Sequence, residues 1–163
     1  MAALLAAVAE AAHPPLPTPC VAGACGANAQ SFVQYGKVGA AVSGKTMNVN
    51  QQSAQAILNW ADFNIANGYT VNFHQPAATA AALNEIWSAT PSTIAGALNA
   101  NGQVYLINQN GIVFDKGAQV DVGGLVASTL NIAPIASSTA TCSAVNLPFA
   151  SRANAASMSA SRE

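Results

Sequence analysis

Charge is what this sequence is shortest of. Five Lys and Arg and six Asp and Glu stand among 163 residues, 7% of the chain where about 25% is usual. The net charge is −1 and 52% of residues are hydrophobic, so the surface must be built from Asn, Gln, Ser, Thr and small side chains. The bases Lys37, Lys45, Lys116, Arg152 and Arg162 are scattered. No basic patch gathers phosphates, which argues against nucleic acid as a partner. No apolar run reaches the roughly 18 residues of a spanning helix. Arginine is missing before Arg152, and the acids of the central region are only Asp62, Glu85, Asp115 and Asp121. Hydrolytic chemistry needs convergent carboxylates, or a base beside Arg or a metal. Asp121 alternates outward, Asp115 adjoins Lys116 in a turn, and Asp62 and Glu85 lie in separate segments. No catalytic residue is assigned, and the chain reads as a non-enzyme.

Histidine and cysteine are too sparse for a metal centre. His13 and His74 are isolated, and no second Cys or His pair completes four ligands, so neither metal nor cofactor is expected. His74 follows Phe73 outward and reads as a solvated surface side chain. Cys20 and Cys25, in "CVAGACG", close a small loop if the chain passes an oxidising compartment, and otherwise are two free thiols. Cys142 has no evident partner. Trp60, Trp87, Tyr69 and Tyr105 offer a sugar platform on one reading and core or cap packing on the plainer one.

What is present divides the chain into three. Residues 1–26 are rich in Ala, Pro and Cys: Leu4 to Ala9 is a short apolar run, followed by "AEAA" and "HPPLPTP", which reads as the end of a signal peptide with no basic residue before it, or as an Ala-rich helix. Residues 27–132 are patterned. Residues 133–163 lose periodicity and turn to Ala and Ser, a composition expected to be poorly ordered.

In the patterned region, Met47 and Val49 alternate with Asn48 and Asn50, Val71 and Phe73 with Asn72 and His74, and Val120 and Val122 with Gln119 and Asp121. Period two over short runs predicts half-buried strands. "ANGYTV", "ANGQVY" and "QNGIVF" each put Asn-Gly, a turn pair, before a strand. One segment is ambiguous. Ala54, Ile57, Leu58, Ala61 and Ile65 fall on a helical stripe, while "WADFNI" also alternates like a strand.

Taken in order, "NVNQQSAQAILNWADFNIANGYTVNFHQP", "ALNEI", "PSTIAGALNANGQVYLINQNGIVF" and "GAQVDVGGLVASTLNI" resemble the two-partner secretion domain of filamentous haemagglutinin-type exoproteins, closest to the high-molecular-weight adhesin-like branch. The resemblance implies an all-β, right-handed parallel β-helix with the N-terminal region capping it, and it favours strand for residues 54–65. Inward Val, Ile, Leu and Phe would stack into one core, while Asn at the turns would bond the coils above and below. The resemblance further implies a secreted or surface-exposed protein that crosses the periplasm largely unfolded. There, a cognate outer-membrane barrel transporter with periplasmic modules would recognise it, and the domain would nucleate folding of the chain downstream of it. The family's Asn-Pro-Asn-Gly-Ile motif stands here as Asn108, Gln109, Asn110, Gly111 and Ile112, either a partner contact or only a turn. Two alternatives accompany this reading: a surface adhesin that itself binds host glycans or proteins, and a fragment truncated near Ile132.

Overall fold

The computed structural model describes residues 14–130, apart from 22, 27, 28 and 30. Of residues 1–26, read as a signal-peptide remnant and linker, the part up to residue 13 lies outside the described residues, as does the segment 133–163 with Cys142. Regular structure in the described part is all β: β1 (Thr18–Pro19), β2 (Val33–Tyr35), β3 (Val38–Ser43), β4 (Thr46–Gln51), β5 (Gln55–Asp62), β6 (Thr70–His74), β7 (Ala81–Ile86), β8 (Ser92–Ile94), β9 (Ala97–Asn108), β10 (Ile112–Phe114) and β11 (Gln119–Ser128).

The chain winds so that each strand pairs in parallel with the one a coil later. One face runs through β4, β6, the first part of β9 and the first part of β11, with Thr46, Thr70, Ala97 and Gln119 in register. A second runs through β5, β7 and the later parts of β9 and β11, aligning Gln55, Ala81, Gln103 and Gly124. The third is narrow: Ile65 bridges Ile94 of β8, which pairs with Phe114 of β10. This is a β-solenoid, and the alternation explains it. Met47, Val49, Val71, Phe73, Leu98, Val104 and Leu106 all point inward and are buried. Because strands repeat in register, like side chains stack on like, and each coil buries its apolar row only against its neighbours.

The segment 54–65 holds the strand β5 over Gln55–Asp62 and an isolated bridge at Ile65, and no helix. Ala56, Leu58 and Trp60 of β5 face the core with period two. The helical spacing in the sequence arises because the opposite side of β5 is also covered. Asn59 is buried there, and its neighbours Ile57 and Ala61 are partly so. A strand enclosed on both sides loses its plain alternation.

That cover comes from the N-terminal region, whose Cys20, Cys25 and Ala29 pack on Ala61 and Trp87 and whose Ser31 carbonyl accepts from Asn59 Nδ2 at 3.0 Å; the same region also closes the strand edges. β1 and β2 pair antiparallel with β5, and β3 pairs antiparallel with β4 across a two-residue hairpin, Gly44 and Lys45. The first coil therefore has no bare edge on these strands. Leu16 enters the core, and Phe32 meets Trp60 edge-on at 4.8 Å, as Trp60 meets Phe63 at 5.2 Å.

The Asn-Gly pairs do not behave alike. Asn67–Gly68 and Asn110–Gly111 form turns before β6 and β10, with Gly68 and Gly111 at positive φ. Asn101–Gly102 instead lies within β9. Glycine is needed at 102 for space: a Cβ would stand 2.6 Å from both Gln75 Oε1 and the Ala80 carbonyl oxygen.

Candidate functional site: amide ladders and the 108–112 turn

Where most proteins pair ions, this one stacks amides. On the outer side of the first face, Asn72 Nδ2 donates to Asn48 Oδ1 at 3.1 Å, and Asn99 Nδ2 donates to Asn72 Oδ1 at 2.9 Å. This stack sits on strands; the tie expected from a turn Asn to a neighbouring coil is made by Asn110, which donates to the Ser88 carbonyl. Parallel strands hold the Cβ atoms of successive coils about 4.8 Å apart, which an amide spans and a pair of like charges would not tolerate. Asp121 occupies the same register on the last described coil. His74 Nε2 lies 3.3 Å from Asn48 Oδ1 and the ring is exposed.

At the corner after this face a second ladder is buried. Gln75 Nε2 donates to Gln51 Oε1 and to the carbonyls of Ala80 and Gln103, each at 3.2 Å. Gln51 Nε2 donates to the Ser53 and Ala81 carbonyls at 2.7 and 3.1 Å. Asn101 pairs with the Gln75 backbone as a strand would: its Oδ1 accepts from Gln75 N at 2.7 Å and its Nδ2 donates to Gln75 O at 2.6 Å.

Further amides fasten aromatic rings. The Trp60 indole N–H donates to Asn84 Oδ1 at 2.9 Å, and the Trp87 indole N–H to Asn59 Oδ1 at 3.0 Å. Trp60 is fully buried. Trp87 and Ala61 pack against Cys20, Cys25 and Ala29, and Tyr69 carries the Lys45 ammonium 5.6 Å from its ring centre. These rings serve packing. Sequence reading missed the ladder partners, although the spacings that separate Asn48, Asn72 and Asn99, 24 and 27 residues, carried the signal.

Residues 108–112 form a tightly tied turn. Asn108 is fully buried. Its Nδ2 donates to Thr90 O at 3.2 Å and Ser92 Oγ at 2.9 Å, while its Oδ1 accepts from Asn110 N at 2.9 Å. Gly111 N donates to Asn108 O at 3.0 Å, closing the turn, and Gly111 takes φ +109°, which a side chain would strain. Asn110 Nδ2 donates to the Ser88 carbonyl of the preceding coil at 2.8 Å. Gln109 is exposed, and Ile112 is half-buried against the core.

Cys20 and Cys25 are joined by a disulfide, with Cα atoms 5.8 Å apart. The loop is pinned to the solenoid by Cys20 N, which donates to Asn59 O at 3.1 Å.

The four acids of the region have separate surroundings. Asp62 Oδ1 accepts from Asn64 Nδ2, and Asp115 Oδ1 accepts from Lys116 N at 2.7 Å. Burial pushes the Glu85 carboxyl above its ordinary value. Asp121 is exposed. Among the described residues no three His, Cys, Asp or Glu form a group able to hold a metal. A shallow hollow lined by Asn72, His74, Asn99, Asn101 and Asp121 runs along the outer ladder.

Comparison with known proteins agrees with this architecture. The TPS secretion domain family matches residues 27–156, running past residue 132, where the composition changes. The chain is 35% identical over 102 residues to a Heme/hemopexin-binding protein of Haemophilus influenzae (strain ATCC 51907 / DSM 11121 / KW20 / Rd), an alignment covering 63% of this chain and 11% of that protein. It is 37% identical over 116 residues to another Heme/hemopexin-binding protein of Haemophilus influenzae, covering 68% and 12%. The chain thus spans about a tenth of the length of these relatives. Among solved structures it resembles the HMW1 secretion domain from Haemophilus influenzae, at 38% identity and a TM-score of 0.59, over 61% of this chain and 27% of that one. A parallel solenoid closed by antiparallel strands at its first coil, with no clustered chemistry among the described residues and a match across residues 27–156, places this chain in the TPS secretion domain family, the secretion domain of HMW1-type exported proteins.

Proposed function

We propose that this domain directs a larger protein through the outer membrane by engaging a cognate barrel transporter with periplasmic modules, and then templates the folding of the coils downstream. The observation that carries the second step is the asymmetry of the two ends. β1, β2 and β3 close the first coil with antiparallel pairing. β11 pairs only with β9 among the described residues, and Val120, Val126 and Leu130 beside it are exposed. Among the described residues the outer edge of β11, flanked by these apolar side chains, offers a place for a further strand. Growth is thereby directed toward the carboxyl end.

The first step rests on family membership and on the scarcity of charge, since an extended chain with few ions meets a smaller barrier in a narrow pore. The turn at 108–112 is assigned to folding, because its Asn108 and Asn110 side chains are already committed to carbonyls and a hydroxyl of the solenoid. Gln109 is the member of the five left outward for a partner. No heme or hemopexin role is proposed for this chain, which aligns with only 11% and 12% of the proteins so named.

The test is to co-express the exported protein with its transporter, with and without residues 47–132. Deletion is expected to abolish surface delivery while leaving periplasmic accumulation intact. Undiminished delivery refutes the role.

A further inference from the structure

The three Asn-Gly pairs share a sequence but not an environment. Asparagine is among the residues lost most readily to heat and time, and it is weakest before glycine. There the glycine amide nitrogen attacks the Asn Cγ, ammonia leaves, and the resulting succinimide takes up water and opens to aspartate or isoaspartate. The reaction needs a side-chain amide free to fold over its own backbone and a following N–H that is not held elsewhere.

Asn101 lacks the first condition. Both ends of its amide are clamped on the Gln75 backbone, at 2.7 and 2.6 Å, and Gly102 is buried within β9. Asn110 lacks both: its Nδ2 is held by Ser88 O at 2.8 Å, and the Gly111 N–H is held by Asn108 O at 3.0 Å. Asn67 meets both. Asn67 and Gly68 are exposed, and their turn is closed by Tyr69 N donating to Ala66 O at 3.0 Å. Neither the Asn67 side chain nor the Gly68 N–H has a hydrogen-bond partner among the described residues.

We propose that Asn67 is the modification site of the folded chain, losing ammonia to Gly68-assisted ring closure and gaining water to become aspartate or isoaspartate, while the fold protects Asn101 and Asn110. In the unfolded chain the three pairs are equivalent. Isoaspartate at position 101 or 110 would lengthen the main chain by a methylene and remove an amide that ties two coils, so a chain kept waiting unfolded accumulates lesions that block these corners from closing. At position 67 the product forms on an open turn, where the Asn67 amide only grazes the space beside Gly117. The pattern of conversion therefore records how long the chain remained unfolded.

The full 163-residue chain would be aged in mildly alkaline buffer, folded or in urea, and mapped by peptide mass spectrometry with an isoaspartate readout. In buffer, Asn67 is expected to convert at least about tenfold faster than Asn101 and Asn110; in urea the three rates are expected to fall within about twofold of one another. Equal rates in buffer, or faster conversion at 101 or 110, overturn the proposal. Asn67→Gln, with folding verified by circular dichroism, is expected to remove the folded-state signal. Isoaspartate persisting at the same rate in that variant overturns it too.

Discussion

At the scale of single residues, neutrality is enforced by position. In the outer ladder each Asn donates toward the previous coil, so the carbonyl of Asn99 faces the register position of Asp121, a carboxylate with only acceptors to offer. Asp121→Asn supplies the missing donor and is expected to raise stability by about 0.5–1 kcal/mol, measured by urea unfolding. Gln109 stands at the second position of a turn whose third and fourth residues are Asn110 and Gly111, a place suited to proline. Gln109→Pro should therefore stabilise the chain by about 0.4–1 kcal/mol through the unfolded state, and thermal unfolding checks it. Glu85 is different, because its pKa is raised by burial. The folded state then holds its proton more tightly than the unfolded one, so stability falls as pH rises from the ordinary value of 4.5 through the raised one. Glu85→Gln should raise the melting temperature at neutral pH and change little well below 4.5. An equal gain at both pH values would show that ionisation is not the cause.

At the scale of elements, some strands were legible and others were not, for identifiable reasons. β4 and β6 each show one dry and one wet side, and alternation alone reveals them; the first part of β11 alternates in sequence and is a strand, although its Val120 is exposed. β5 is covered on its second side by Cys20, Cys25, Ala29 and Trp87, all distant in sequence, so its composition reflects two packings at once. The alternation of "WADFNI" competed there with a helical stripe, and only resemblance to a family decided for strand. The corner at Asn101–Gly102 was unreadable as well, since the same dipeptide makes a turn at 67 and 110, and only the Gln75 side chain filling the space at Gly102 distinguishes it. The Cys20–Cys25 loop was visible as a pair of residues but not as a bond. What decides it is the docking of the loop on Asn59, Ala61 and Trp87. Replacing both cysteines by serine removes a short loop constraint and is expected to cost about 2 kcal/mol, loosening the N-terminal strands first. Hydrogen exchange at Trp60 and Asn59, compared with that at Leu106, distinguishes this local opening from global unfolding.

For the whole described unit, the governing choice is to bind coil to coil with hydrocarbon and amide in place of ions. The site residues that a sequence search would seek, clustered acids, bases and histidines, are not gathered among the described residues, and the ladder members that do matter were hidden among ordinary Asn and Gln. Attractions between dipoles at contact distance are barely touched by a salt atmosphere, whereas those between exposed ions fade within a Debye length of about 8–10 Å. A solenoid glued by Asn48, Asn72 and Asn99 should thus hold with nearly the same strength in dilute or saline surroundings. It is indifferent to the medium into which it is delivered.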